Sequence, residues 1–304
     1  MHFIVTGGAG FIGSHVTEQL LANGDRVTIL DNFSTGKFKN LPDYPQLTLV
    51  QKSILDCTVE DFNQPVDGIA HLAATPSVES SWLDPLAAHN NNLSATLATI
   101  QLCDRLQCPR LVFASSAAVY GMPETLPIAE DHPTKPISPY GLQKLVSEQY
   151  GQLFANKYGF TFVALRLFNV FGDRQDPQSP YSGVISKFLE AMKNNTPITM
   201  YGDGSQTRDF ISVNDIAIAF TQALKRPLPA TQELIVNIGT GRSLSLLELI
   251  EKLKQCFPHW QENIQFAPAR TGDIQHSLAD IGKGDRYLEF EPKQSIEETI
   301  HSLI

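Results

Sequence analysis

Residues 3–23 limit what this chain can fold into more than any other stretch. Phe3–Thr6 is a short β-branched and aromatic run, TGGAGFIGSH follows at residues 6–15, and Ile12–Asn23 then carries a helical pattern. Gly8, Gly10 and Gly13 fit G-x-G-x-x-G, and Gly7, Gly10 and Gly13 fit G-x-x-G-x-x-G. Glycines so spaced permit a tight strand-to-helix turn and let backbone approach a pyrophosphate. The helix N-terminus behind them offers free N–H groups and a partial positive charge.

The same rhythm continues downstream. Further strands are predicted at Arg26–Leu30, Leu47–Gln51, Gly68–Leu72, Arg110–Ser115, Phe162–Leu167 and Glu233–Ile238. Several are apolar on both alternations, as in a parallel sheet covered on both faces. Helical patterns fill the gaps at Leu86–Leu106, Pro139–Lys157, Val184–Asn194 and Asn214–Lys225. This order predicts an α/β fold with a doubly wound parallel sheet of the Rossmann kind. After Asn169 the rhythm loosens into turn-rich stretches, GDRQDPQSPYS at 172–182 and GDGSQT at 202–207. We therefore expect a dinucleotide-binding domain over 1–171, with 210–240 returning to it. A smaller mixed substrate domain would span 172–304.

Asp31 ends the second strand, RVTILD. A carboxylate there accepts ribose hydroxyls and repels a 2′-phosphate, so the expected cofactor is NAD rather than NADP. A net charge of −9 argues against a nucleic-acid or membrane surface binder. Cys57, Cys103, Cys108 and Cys256 show no C-x-x-C spacing, and the eight histidines show no ligand spacing, so no metal site is expected. The start, MHFIVTGG, has no leader pattern and no apolar run reaches membrane-spanning length, so a cytoplasmic location is expected.

SPYGLQK, residues 138–144, sets Tyr140 and Lys144 four apart, on one face of a helix that Pro139 suits at its first turn. An ammonium near a phenol, together with the positive nicotinamide, favours the phenolate, which makes a base for a sugar hydroxyl. Lys144 is also placed to hold the nicotinamide ribose. Ser116 ends the fifth strand, at the sheet edge where such folds bind ligands, and its hydroxyl would bridge substrate and Tyr140.

In these residues the chain resembles the extended short-chain dehydrogenase/reductase family, most of all UDP-hexose 4-epimerases, including those acting on N-acetylated sugars. TGGAGFIG, DNFSTGK, HLAA, SSAAVYG, YGLQK, LRLFNVFG, YGDGSQTRDF and NIGTG carry the resemblance, in the family's order. The resemblance implies that Asn32, Ser34 and Thr35 line the adenosine ribose, that Ile54 lies near the adenine, and that Leu72, Ala73 and Ala74 lie along the pyrophosphate. It puts Asn91 behind the cofactor loop, and Phe11, Ile12 and Ala114 complete the cofactor set. Two positions depart from the family pattern. Lys52-Ser53 stands where relatives usually carry Gly-Asp, so the Ser53 hydroxyl must serve the adenine. Pro76 replaces a residue often basic or polar in relatives.

For the substrate, the resemblance implies a UDP-sugar. Arg208 and Arg270 would clamp its diphosphate, as guanidinium forks do, with Asn169 beside them. Thr199 and Tyr201, in TMY, would hold the uracil by backbone groups, with Val184 and Phe188 packed near it. Ser277 would border the C2 substituent of the sugar and leave room for an acetamido group. Relatives that eliminate water carry Asp-Glu where this chain has Ala117-Ala118, and alanine supplies neither acid nor base. The implied activity is NAD-dependent 4-epimerisation of UDP-glucose and UDP-galactose, and of their N-acetylated counterparts. A homodimer through the helices at 86–106 and 139–157 is implied as well. The competing readings are another nucleotide-sugar dehydrogenase or reductase, a UDP-uronate epimerase, or a non-enzymatic NAD sensor. A sensor needs no base.

Overall fold

In the computed structural model, residues 1–62, 65–176, 183–228, 233–269 and 273–304 are described. The chain builds a seven-stranded sheet from β1 (His2–Thr6), β2 (Arg26–Leu30), β3 (Leu47–Val50), β4 (Gly68–His71), β5 (Arg110–Ser116), β6 (Thr161–Leu167) and an edge strand, Glu233–Ile238. The order across the sheet is Glu233–Ile238, β6, β5, β4, β1, β2, β3, and every neighbouring pair is parallel. The chain starts at β1, winds out to β3, then returns to β4 and winds the other way. The loops after β1 and β4 therefore part at the carboxyl edge and leave a crevice.

Both faces of the sheet are covered, which is why its strands read as continuous apolar runs. Phe3 and Val5 pack into one core with the helices Phe11–Ala22 and Val213–Lys225. Ile4, between them, points into the opposite core with the helices Ala95–Arg105 and Pro139–Tyr158. A third core gathers Phe171, Phe188, Met200, Leu249 and Trp260 in the C-terminal part. Ser245 and Glu248 form a reciprocal cap at the start of the helix Leu246–Lys254, whose Leu246, Leu249, Ile250 and Leu253 are buried.

Two features differ from the sequence expectation. The helix expected over Leu86–Leu106 is interrupted by a π-helical turn, Asn90–Ser94, between Pro85–His89 and Ala95–Arg105. Buried Asn92 within that turn accepts from Thr75 N at 2.8 Å and donates to Gln143 Oε1 at 2.7 Å. Three short strand pairs also went unread: Asn169–Phe171 with Phe210–Ser212, Ile198–Tyr201 with Ile264–Ala267, and Thr207–Arg208 with Leu244–Ser245. Two to four residues are too few to show a period, and their partners lie far along the chain.

Candidate active site

The crevice at the carboxyl edge opens into a cavity of about 440 Å³. Its floor is the glycine turn, and the structure shows why each glycine is needed. Gly7 has φ +69°, and a Cβ there would sit 2.8 Å from Ala73 N. A Cβ on Gly13 would lie 2.1 Å from the Gly7 carbonyl oxygen, and one on Gly10 would lie 3.1 Å from it. The turn thus folds onto itself and onto the start of the loop after β4. No side chain caps the first helix at Gly10, and its first turn holds no acidic residue. Its opening N–H groups remain available to an anion.

Asp31 is buried beside this turn. Oδ2 accepts from Ala9 N at 2.9 Å and Oδ1 from Phe33 N at 2.7 Å. These bonds fix the carboxylate and leave lone pairs facing the cavity. Ser53 Oγ accepts from Leu55 N at 3.2 Å, which caps a short turn, so part of its accepting capacity is already used. The cradle of glycines, the uncapped helix and the oriented carboxylate fit a dinucleotide.

All eighteen residues read as cofactor-binding line this one cavity, from Gly7 at the turn to Ala114, Tyr140 and Lys144 at the far wall. Ser116 and Asn169 line it too. Tyr140 and Ser116 meet because the long helix Pro139–Tyr158 starts hard against the end of β5. Ser138 caps that helix, accepting from Gly141 N at 3.1 Å, and Tyr140 N donates to Ser81 Oγ at 3.1 Å. Gly141 permits the approach, since a Cβ there would fall 2.5 Å from the Ala118 carbonyl oxygen.

The electrostatics of the pair depart from the sequence reading, which gives the Lys144 ammonium the task of acidifying the phenol. Lys144 Nζ instead donates to the Ala114 carbonyl at 2.7 Å and lies 4.7 Å over the Phe113 ring centre. Burial pushes the Tyr140 phenol up to about 12, and the hydroxyl of Ser116 pulls the other way. Burial likewise pushes Lys144 down to about 7, against the carboxylate of Glu148 one turn further along the helix. In the protein alone burial outweighs the Ser116 hydroxyl, and a positive nicotinamide beside the phenol would act in the same direction as that hydroxyl.

Behind the pair lies a buried ion pair. Glu148 Oε2 meets Arg166 Nη2 at 2.8 Å, and Glu148 Oε1 accepts from Arg166 Nε at 3.0 Å and from Ser115 Oγ at 2.5 Å. Arg166 also donates to the Glu130 carbonyl at 3.1 Å and stacks 4.7 Å over the Tyr120 ring.

Val184, Phe188, Thr199, Tyr201, Arg208 and Ser277 lie outside this cavity, on the C-terminal part. Asn169 N donates to the Asp209 carbonyl at 3.0 Å, which sets Arg208 on the adjoining strand. Arg208 Nη2 binds Asp273 Oδ1 at 2.7 Å. Ser277 is buried and its N–H donates to the Thr207 carbonyl at 3.2 Å, so it neighbours Arg208. Asp209 ties these segments together, accepting from Thr240 N at 2.7 Å, Gly241 N at 3.0 Å and Ala279 N at 3.1 Å. Val184 is half-buried, Phe188 is buried in the third core, and Thr199 and Tyr201 are exposed on one strand. Arg270 lies outside the described residues. Sequence reasoning missed Lys37, Asn40, Arg174, Gln175 and Asp176 on the cavity wall. The last three sit in a stretch that reads only as turn.

Three comparisons bear on this geometry. The model of the NAD dependent epimerase/dehydratase family matches residues 3–239. A putative UDP-glucose 4-epimerase of Methanocaldococcus jannaschii is 39% identical over 305 residues, covering 99% of this chain and 96% of that protein. Among solved structures, the UDP-N-acetylglucosamine 4-epimerase of Methanobrevibacter ruminantium M1, in complex with UDP-N-acetylmuramic acid, superposes with a TM-score of 0.93 at 37% identity, covering 99% of this chain and 97% of that one. The UDP-glucose 4-epimerase of Thermotoga maritima, with UDP-glucose, gives a TM-score of 0.91 at 34% identity and the same coverage.

Proposed function

Because the chain belongs to the NAD dependent epimerase/dehydratase family, we propose that it is an NAD-dependent 4-epimerase of UDP-hexoses, plain and N-acetylated. The observation that carries the reading is convergence. Ser116, Tyr140 and Lys144 share one cavity with a glycine turn and carboxylate suited to a dinucleotide. Gly7, Gly10, Phe11, Ile12 and Gly13 would hold the pyrophosphate of NAD, and Asp31 its adenosine ribose. When bound, NAD supplies an acceptor and then a donor of hydride at C4 of the sugar.

The chain's own residues move the proton. As its phenolate, favoured once the positive nicotinamide lies beside it, Tyr140 takes the proton from the C4 hydroxyl as the substrate becomes a 4-ketose, and returns it on the way back. Ser116 orients the C4 oxygen against Tyr140. Lys144, anchored by the Ala114 carbonyl, would hold the ribose hydroxyls of NAD at this end of the cavity. Ala117 and Ala118 supply no acid for a leaving hydroxyl, so the ketose is reduced rather than dehydrated. Inversion requires the nucleotide pinned and the hexose free to turn. Arg208 beside Asn169 is suited to the pinning, exchanging Asp273 for the diphosphate.

Incubation with UDP-galactose and with UDP-GalNAc in deuterium oxide tests this. We expect the C4 epimer of each, with no deuterium at C4 or C5 and no accumulation of NADH. Net NADH would point to a dehydrogenase, and no turnover of any sugar to a sensor. Tyrosine in place of Ser277 would fill the space beside Arg208. Ser277→Tyr is therefore expected to cut turnover of the acetylated substrate by roughly 100-fold and to spare UDP-galactose, read as kcat/KM on both. Equal losses would remove Ser277 from substrate selection. Pairing of two copies belongs to the same reading, supported by Leu86 and Leu153, exposed on the helices at Pro85–His89 and Pro139–Tyr158. Sedimentation at micromolar concentration should give twice the chain mass.

A further inference from the structure

The segment Gly172–Asp176 leaves the strand Asn169–Phe171 and passes over the cavity toward the first helix. Its path is set at Gly172, where a Cβ would lie 2.4 Å from Val213 Cγ1. Arg174 then adopts left-handed backbone, φ 65°. Arginine is a costly residue there, where glycine or asparagine would serve more easily. Strain of this kind is kept where a particular side chain is needed.

The side chain reaches across to the dinucleotide-binding half. Arg174 Nη2 donates to Glu18 Oε2 at 2.5 Å. Glu18 shares a face of the first helix with His15 and Phe11, one and two turns nearer its N-terminus. Arg174 Nη1 is buried and has no acceptor among the described residues. The same residue lines the cavity together with Gly10, Phe11 and Ile12. A buried guanidinium N–H without a partner is rare, and an anion is what a guanidinium fork suits. Two residues on, Asp176 meets Lys37 Nζ at 2.5 Å, from the loop that follows Asp31. Gln175 Oε1 accepts from Ser186 Oγ at 2.6 Å, which fixes the segment to the C-terminal part.

We propose that Arg174 binds the diphosphate of the resident dinucleotide through Nη1, and that residues 172–176 are a strap that retains the cofactor from one turnover to the next. The proposal rests on the functional reading above, in which NAD is regenerated each cycle and gains nothing by leaving. A diphosphate is also present in the UDP-sugar. The anchor on Glu18, within the helix that opens at the glycine turn, favours the dinucleotide.

The test follows NAD release from the purified protein, with no sugar present, into a trap that consumes free NAD. Arg174→Gln should release NAD about tenfold faster than the unmodified protein, as expected for loss of one charge-assisted hydrogen bond. Arg174→Lys should fall between them, keeping the charge without the fork. Glu18→Gln, outside the cavity, should accelerate release two- to threefold by loosening the anchor. In Glu18→Gln, which leaves the cavity lining intact, KM for the UDP-sugar and kcat at saturating NAD should change by less than twofold. Unaltered release in Arg174→Gln and Arg174→Lys would overturn the proposal. So would unaltered release with a raised KM, which would assign Arg174 to the substrate's diphosphate. Failure to epimerise any UDP-hexose, with the release ratios as expected, would sink the functional reading and leave the strap standing.

Discussion

Tyr140→Phe is expected to lower kcat for a UDP-hexose by about a thousandfold, while the protein keeps its fold and its NAD. The substitution deletes one oxygen. The ring stays, the helix keeps its Ser138 cap and Gly141 contact, and Lys144 keeps its bond to the Ala114 carbonyl at 2.7 Å. The loss is confined to proton transfer at C4, for which a positioned base contributes roughly 10²–10⁴-fold. Tyr140 is half-buried on the cavity wall, and burial presses its phenol up to about 12. Steady-state turnover, bound NAD by absorbance and thermal melting separate the possibilities. Turnover within tenfold of the parent would show that another group takes the proton. Loss of NAD together with turnover would move Tyr140 from proton transfer to cofactor binding.

The second large effect is on stability. Glu148→Gln should cost about 3–5 kcal/mol, because it leaves the Arg166 guanidinium buried without its carboxylate. Glu148 is 1% and Arg166 4% exposed at the side chain. Two bonds join them, and Ser115 and the Glu130 carbonyl complete the set. Burial opposes the charge on Arg166 and the Glu148 carboxylate supports it, and a guanidinium does not deprotonate in proteins, so it keeps its charge when the partner goes. Replacing both together, Glu148→Leu with Arg166→Met, should recover most of the loss, since a paired substitution leaves no orphan charge. Urea unfolding of the two variants measures both. A single variant within 1 kcal/mol of the parent would mean that water reaches the guanidinium.

Part of this molecule is legible in its sequence. Runs apolar on both alternations specify strands covered on both faces, because side chains along a strand alternate sides whatever lies around them. Gly7, Gly10 and Gly13 after the first run specify a tight turn onto a helix, and Asp31 at the end of β2 specifies a carboxylate beside it. These are properties of neighbouring residues and of the backbone between them, so a linear reading reaches them. The spacing of Tyr140 and Lys144 on one helical face is of the same kind.

Other features needed the packed structure. Spacing suggested that Lys144 would acidify Tyr140, yet Lys144 turns to the Ala114 carbonyl, because a buried ammonium needs an acceptor and β5 supplies one 30 residues away in sequence. Asn92 turns from the helix to Thr75 and Gln143, and Arg174 crosses from the segment after β6 to Glu18 on the first helix. Which partner a polar side chain takes depends on how much water it has lost and on what the fold has brought beside it. The sequence determined the sheet, the turn and the helical face by local periodicity. Only the tertiary structure decided the charges and partners of the site, because desolvation and long-range contact do not exist until the chain has closed on itself.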